Sequence, residues 1–459
     1  MASVSEWTRF GDPAEAVFVA LTATVIGIAC LLVFILARRA VRARYFARRD
    51  RRNQHIREHW DEIVSGEIRA ATWFFDPIDH ALIEGIALDR IEVAEPAEAV
   101  CLQTFVLRSG LIDKRIREVR ANRGWRRREA LVALGRMRSS DGIPALADAL
   151  KDVGAEVAVD LIHALGQIGT PRAAEAILER IARKPVPCPP PVLQGALISC
   201  YRSDPRTLFP RVLDADDTMR PLLARVLADV AKPGMSEDVL ALAADPTPEV
   251  RAAAARMLAV IRPPYALLPL TRLAVDKEWF VRLRAVVALG VLGEHRGIPA
   301  LIRALCDANR LVRLRAAASL VQFNGQEEQV LQLAMRTRDK YAVQALVSEM
   351  DRSGRIVRLV EGLLDEERRA DVEQALLAVL RGGALHVLAD LLVCHPNRRV
   401  RARLARLMAA SREPGLLGPL EQMDAALGTP RKHRVLRWVT GRLRRASAEH
   451  GAPREELAV

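Results

Sequence analysis

Two histidines and one cysteine–histidine pair are the residues whose spacing could support metal or nucleophilic chemistry in this sequence. His55 and His59 are four residues apart, so on a helix they would share a face, as two ligands of one metal ion do. The segment is not HExxH, no third ligand is evident, and nearby arginines would repel a cation. Cys394 and His395 are adjacent, which is too close for a nucleophile and its base. We therefore expect no metal and no catalytic residue here.

Motifs for nucleotide or ester chemistry are missing from the sequence. There is no GxGxxG or GxxxxGK[ST] loop to hold phosphates, and no GxSxG turn to present a serine nucleophile. The 6 cysteines form no CxxC pair, which is typical of a reducing compartment. We expect no cofactor, and we do not expect an enzyme.

The composition indicates packed helices. The chain has 459 residues, of which 50% are hydrophobic but only 4% are aromatic. Strands favour aromatic and β-branched residues, whereas alanine, leucine and arginine favour helices. A chain of this length exceeds one ordinary core, so several domains or an extended repeat array are expected.

One apolar segment, residues 16–37, is long enough to cross a membrane. It holds 22 residues without a charge, 13 of them Val, Ile, Leu or Phe. As a helix it would span about 33 Å, against about 30 Å for a hydrocarbon core. A cleaved signal peptide is the main alternative, but the preceding residues contain Arg9 and no other basic residue. A lipid-modified Cys30 is a weaker alternative.

The charges that flank this segment predict its orientation. Nine arginines and one acid, Asp50, lie between Arg38 and Arg57, whereas the N-terminal flank is net acidic. Basic flanks stay in the cytoplasm, so we expect a single-pass protein of the inner (plasma) membrane with its N-terminus outside. The arginines that we expect to contact anionic lipid headgroups are Arg38, Arg39, Arg42, Arg44, Arg48 and Arg49.

The rest of the chain repeats itself every 31 residues. Aspartates occur with this period at Asp214, Asp245, Asp276 and Asp307. Leucines keep the same period at Leu134, Leu165, Leu227, Leu258, Leu289 and Leu320. Each unit has two apolar stripes at helical spacing, separated by glycines, and a proline suited to a helix start precedes the second stripe. Asp276 is predicted to be the N-cap of the first helix of its unit. Neither helix can bury its stripe alone, so neighbouring units must stack.

The repeated motif resembles that of the HEAT-repeat family, in its short bacterial form that also occurs in phycobilisome lyase-like proteins. The motif Asp-x4-Val-Arg-x-x-Ala-x-x-Ala-Leu-Gly is carried by Asp276, Val281, Arg282, Ala285, Ala288, Leu289 and Gly290. The resemblance implies an all-α fold, an α-solenoid with a right-handed superhelix, preceded here by one transmembrane helix. It also implies a structural ladder between repeats made by Asp245, Arg251, Asp276, Arg282, Asp307 and Arg313.

These features divide the chain into expected segments. They are a short outer N-terminus (1–15), the transmembrane helix (16–37), a basic juxtamembrane helix (38–70), capping helices (71–120), the solenoid (121–428), and a basic helix with a loose tail (429–459). The proline run at 184–191 should break or bend the stack. The aromatic residues Trp73, Phe74 and Phe75 either cap the first repeat or contact a partner or the membrane.

We therefore expect a membrane-anchored cytoplasmic scaffold that binds and positions a protein partner, itself membrane-associated. Confinement to the membrane favours a membrane enzyme or a secretion assembly as that partner, and the resemblance suggests a glycosyltransferase. Nucleic-acid binding is an alternative, because basic stretches occur at 114–128, 398–406 and 431–445. A membrane protein has poor access to the chromosome, so we favour this alternative less. A lyase-like enzyme is the third hypothesis.

Overall fold

The protein is built from helices. The computed structural model describes residues 13–66, 77–152, 154–183, 188–235, 239–411, 416–426 and 430–451. Every regular element within these ranges is a helix, which confirms the predicted all-α class. The chain forms two compact units, residues 1–200 and 201–459.

The first unit begins with a long helix and continues with shorter helices. Its α-helices are α1 (Pro13–Glu58), α2 (Trp60–Ser65), α3 (Pro77–Val93), α4 (Pro96–Arg108), α5 (Leu111–Ala121), α6 (Gly124–Arg136), α7 (Ile143–Ala149), α8 (Ala155–Ile168), α9 (Pro171–Arg183) and α10 (Pro190–Tyr201). Helix α3 packs on α4 and on the end of α1, while α5, α6 and α8 pack side by side. Helix α9 ends at Arg183, directly before the predicted proline break at 184–191, and α10 begins inside it at Pro190. Residues 184–187 of this break lie outside the described ranges.

Helix α1 is long enough to reach beyond a membrane. It has 46 residues and therefore a length of about 69 Å. By length and composition it is the one helix of the described chain suited to span a bilayer, and its apolar stretch is fully exposed. The hydroxyls of Thr22 and Thr24 donate to backbone carbonyls one turn earlier, at 2.8 and 2.7 Å. These polar groups are therefore satisfied inside the helix, as a lipid environment requires.

The second unit repeats a pair of helices. Its α-helices are α11 (Leu208–Asp214), α12 (Arg220–Val230), α13 (Val239–Ala243), α14 (Pro248–Ile261), α15 (Leu267–Leu273), α16 (Trp279–Leu292), α17 (Ile298–Leu305), α18 (Arg310–Leu320), α19 (Glu327–Arg336), α20 (Lys340–Arg352), α21 (Arg355–Glu361), α22 (Arg369–Arg381), α23 (Leu385–Cys394), α24 (Arg398–Ala410), α25 (Leu417–Ala426) and α26 (Pro430–Gly451). Helices α12, α14, α16, α18 and α20 pack side by side in one layer. Helices α13, α15, α17 and α19 lie against them.

The apolar stripes predicted from the sequence form the core between these layers. All six leucines of the 31-residue series are buried, with exposed fractions of 1% or less. The stripes of α16 and α17 are buried as well, at Val281, Ala285, Ala288, Leu289, Ala300, Leu301, Ala304 and Leu305. Burying a leucine side chain stabilises a fold by about 2 kcal/mol, so the repeated leucines are a main source of stability.

The glycine of the Ala-Leu-Gly motif allows adjacent helices to approach closely. A Cβ atom added to Gly290 would lie 2.6 Å from the Cβ of Ser319 on the next helix of the layer. The same holds in the first unit, where Gly135 faces Ala164 at 2.7 Å between Cβ positions. Any larger residue would push the helices apart. The motif therefore ends in glycine because the layer requires close packing.

Candidate protein-interaction surface

The repeated aspartates stabilise the turns between the two helices of each repeat. The carboxylate of Asp276 accepts the backbone N–H of Glu278 at 3.0 Å, and Asp307 accepts that of Asn309 at 2.8 Å. Asp276 is therefore not the N-cap that the sequence predicted. Helix α16 begins at Trp279, after Glu278, so the aspartate lies in the turn before the cap. Its carboxylate also accepts hydrogen bonds from a second partner.

That second partner is an arginine of the preceding repeat. Arg251 donates through Nε and Nη2 to both oxygens of Asp276, at 2.7 and 2.9 Å. Arg282 donates in the same way to Asp307, at 2.6 and 2.8 Å. These are bidentate pairs, the strongest geometry for a guanidinium and a carboxylate. Four of the six predicted ladder residues, Arg251, Asp276, Arg282 and Asp307, therefore meet between repeats.

The charge state of Asp307 follows from this geometry. Burial alone would raise its pKa, since it disfavours the charged form. The hydrogen bonds from Arg282 and from the Asn309 N–H outweigh burial, and the pKa of Asp307 lies below its usual value. The carboxylate is therefore charged at neutral pH and binds its arginine at full strength.

A set of exposed side chains lies at the starts of α16, α18 and α20. We call it the first-turn surface, and it consists of Trp279, Arg310, Leu311, Lys340 and Tyr341. Trp279, Arg310 and Lys340 are the first residues of α16, α18 and α20, so adjacent helices present them at the same level. Leu311 is 51% exposed and Tyr341 57% exposed, and the Lys340 ammonium lies 5.1 Å from the Tyr341 ring centroid.

Tryptophan, tyrosine and arginine, which this surface exposes, are the residue types enriched in binding hot spots. The sequence reasoning missed this surface because it could not separate exposed from buried positions within the first turns. The 31-residue spacing of Trp279 and Arg310 was the signal that could have indicated it.

The predicted membrane contacts lie on α1, and this helix is attached to the first unit. Arg38, Arg39, Arg42, Arg44, Arg48 and Arg49 are all exposed. Three residues after Arg49, Arg52 pairs with the buried Asp79 of α3 at 2.8 and 3.0 Å, and the side chain of Trp60 in α2 is buried. The end of α1 is thus fixed to α3. The predicted contacts Trp73, Phe74 and Phe75 lie outside the described residues.

The histidine pair acquires a neighbour in the structure. The ligand atoms of His55, Glu58 and His59 lie within 4.8 Å of one another. His59 Nδ1 donates to the His55 carbonyl at 3.1 Å. Glu58 accepts from Gln54 at 3.0 Å. Of the described residues, these three could hold a metal ion, although Arg57 adds positive charge beside them.

The second candidate pair, Cys394 and His395, belongs to a turn. His395 is buried, and its Nδ1 accepts the backbone N–H of Asn397 at 3.2 Å. Arg401 donates to the carbonyls of His395 and Pro396. These are the contacts that a ladder aspartate and its following arginine make in other repeats. The imidazole therefore replaces the aspartate as a turn acceptor.

Arginines of the basic stretches are engaged within the protein. In the first stretch, Arg115 binds the buried Glu84 at 2.5 Å, and Arg128 pairs with Asp160. In the second, Arg403 donates to the Leu363 carbonyl. In the third, Arg444 binds Glu421 at 2.6 Å. Such pairing reduces the charge that is available to a phosphate backbone.

The stacked helix pairs define the class of the protein, an α-solenoid. The family profile of HEAT repeats matches residues 113–188, 207–289, 236–321 and 269–350. These parts of the chain belong to the HEAT-repeat family, as the sequence motif predicted. No curated protein matches the chain.

Solved structures that match this chain have low identity to it. An engineered protein is 17% identical, with a TM-score of 0.33 over 84% of this chain and 98% of its own. Kap95 in a complex with Nup1 is 13% identical, with a TM-score of 0.37 over 83% of this chain. Kap95p bound to RanGDP is 14% identical, with a TM-score of 0.35 over 82% of this chain. The matches span 58% and 57% of those two karyopherin chains.

Proposed function

We propose that this protein is a membrane-anchored scaffold that binds and positions a protein partner on the cytoplasmic side of the inner membrane. The observation that carries the proposal is the first-turn surface, where three successive repeats present exposed aromatic, aliphatic and basic side chains. A solenoid offers such a surface over many repeats, so that binding needs no single pocket.

The anchor is the apolar part of α1, with the N-terminus outside and the arginines from Arg38 onward at the inner leaflet. The exposure of every residue in its apolar stretch supports this, since a core helix would be buried. Tyr45 and Phe46 are also exposed on α1, and such rings are enriched at membrane interfaces. From Arg38 to Glu58 the helix covers about 31 Å, which would hold the repeats close to the membrane.

Confinement to the membrane raises the effective concentration of the solenoid toward other membrane proteins. We therefore propose a membrane enzyme, such as a glycosyltransferase, or a secretion assembly as the partner. The Arg52–Asp79 pair and the buried Trp60 support this arrangement, because they attach the helix to the first unit instead of leaving it on a free linker.

Photo-cross-linking in native membranes tests the proposal. A photoreactive residue is placed at Leu311 or Tyr341 in the full chain, and cross-linked proteins are identified after solubilisation in mild detergent. A control carries it at Val93, which is 85% exposed, more than Leu311 or Tyr341, but lies in the first unit. One membrane protein recovered from the first two positions and not from Val93 is the expected result. Only lipid and ribosomal background would contradict the proposal, and recovered nucleic acid would favour the alternative function.

A further inference from the structure

The arginine–aspartate ladder ends at Arg313 with an unfilled position. Arg251, Arg282 and Arg313 each donate through Nη1 to two backbone carbonyls of their own turn; for Arg313 these are Asp307 and Ala308, at 2.8 and 3.1 Å. In the first two arginines, Nε and Nη2 bind the carboxylate of the next repeat. Within the described part of the chain, Nε and Nη2 of Arg313 have no such carboxylate.

The missing acid is replaced by a threonine. The turn after α19 contains Thr337, whose hydroxyl accepts the backbone N–H of Asp339 at 3.3 Å. Asp307 makes the equivalent contact with the N–H of Asn309. Thr337 therefore occupies the ladder position, 30 residues after Asp307 instead of 31. A neutral hydroxyl stands where the two preceding repeats have a charged carboxylate.

A groove opens at this position between α18 and α20. Its volume is about 220 Å³, and it is lined by Arg310, Arg313, Leu314, Tyr341, Gln344, Ala345 and Ser348. None of these described lining residues is acidic, so the two guanidinium groups face no carboxylate in the groove. A larger groove in the first unit, of about 500 Å³, differs in this respect. Its arginines, such as Arg136 with Asp89 and Glu92, are already paired.

We infer that Arg313 binds a carboxylate of the partner protein, supplied by an acidic segment that completes the ladder at the position of Thr337. An aspartate or glutamate side chain would accept two hydrogen bonds from Nε and Nη2, as Asp276 and Asp307 do in the preceding repeats. Arg310 adds attraction for a negative charge. The exposed Leu311 and Tyr341 beside the groove would hold an apolar side chain next to the acid.

This inference deepens the proposed function, because it names the chemistry that the first-turn surface recognises. Its test is to fill the position from within the chain. In Thr337→Asp the new carboxylate takes the place of the partner's acid on Arg313. In the matched control, Thr337→Asn, the side chain has the same shape and can still accept the Asp339 N–H, but it is neutral. Arg313→Gln removes the guanidinium directly.

The binding assay uses the full chain in detergent and a fluorescent peptide of alternating Asp and Leu, with an Asn–Leu peptide as the uncharged counterpart. We expect wild type and Thr337→Asn to bind the acidic peptide, and Thr337→Asp and Arg313→Gln to bind it about ten-fold more weakly. Thr337→Asp should unfold at the same temperature as wild type or higher, which separates the effect from misfolding. Equal peptide affinity of wild type and Thr337→Asp would overturn the inference.

A second probe and the cellular assay separate the remaining outcomes. If Thr337→Asp has reduced affinity for a labelled single-stranded oligonucleotide but unchanged affinity for the acidic peptide, the groove binds phosphate and the inference is wrong. In native membranes, Thr337→Asp should lose most of the partner cross-linked at Leu311, whereas Thr337→Asn should retain it. A partner that both variants capture equally would refute the role of this groove and leave the scaffold function intact. If wild type captures no protein, the scaffold function itself fails.

Discussion

Removing one ladder charge should weaken the junction between two repeats by a predictable amount. In Asp307→Asn the amide oxygen can still accept the Asn309 N–H, but the amide nitrogen faces Arg282, which can only donate. One of the two hydrogen bonds from Arg282 is lost, and in the other the acceptor becomes a neutral amide oxygen. Hydrogen bonds to charged groups contribute about 1.5–3 kcal/mol each. The Asp307 and Arg282 side chains are 8% and 17% exposed, so solvent screens them little.

We therefore expect Asp307→Asn to destabilise the junction by about 2–3 kcal/mol. Repeat arrays open locally, so the assay is native-state hydrogen exchange of the α16 and α18 backbone amides. Their exchange should become roughly 30- to 150-fold faster, since each 1.4 kcal/mol is ten-fold. The combined effect of Asp307→Asn and Arg282→Gln should be smaller than the sum of their separate effects, because both break the same pair; Arg282→Gln also removes the bonds from Nη1 to the carbonyls of Asp276 and Lys277.

The control for this experiment is Asp365→Asn. Asp365 is exposed, accepts the Glu367 N–H at 3.1 Å, and has no ion pair among the described residues. Its replacement should change exchange by less than about five-fold. If Asp307→Asn and Asp365→Asn have the same effect, the aspartates act only as turn acceptors. The reasoning that assigns junction stability to the arginine pair would then be refuted.

The remaining predictions concern packing, pH and the attachment of α1. Gly290→Ala should destabilise the second unit by about 1–3 kcal/mol in thermal unfolding, because its Cβ meets Ser319, whereas Gly195→Ala, with no atom within 4 Å, should stabilise by about 0.5–1 kcal/mol. The lowered pKa of Asp276 contributes stability above its unfolded pKa of about 3.9, which is lost as pH falls through the lowered value; Asp276→Asn should flatten this acid limb. Asp79→Asn should speed exchange at the end of α1, since it breaks a buried ion pair, and leave α16 unchanged.

The repeat core could be predicted from the sequence because it depends on local periodicity. A buried leucine every 31 residues and an apolar face on each helix follow from helix geometry, and all six leucines are buried as expected. The Asp–Arg pairing was implied by the family resemblance. It recurs because Arg251 and Asp276, like Arg282 and Asp307, are 25 residues apart. These features recur, so one repeat informs the next.

Features that depend on a change of register could not be predicted in this way. Asp276 was expected to cap α16, but the turn places the helix start three residues later, at Trp279. After Asp307 the repeat is one residue shorter, so Thr337 lies at the ladder position. A strict period of 31 would have selected Arg338 instead. The grouping of Glu58 with His55 and His59 depends on side-chain conformations at the end of α1, which spacing does not determine.

The central claim is that α1 lies in the lipid bilayer, and membrane extraction tests it most directly. Membranes from cells that produce the full chain are washed with alkaline carbonate and sedimented, and the chain is detected with antibodies to both ends. We predict that the intact chain, still carrying its first residues, stays in the pellet, and that detergent releases it. Intact chain in the supernatant, or a chain that has lost residues 1–37, would contradict membrane anchoring and with it the proposed scaffold.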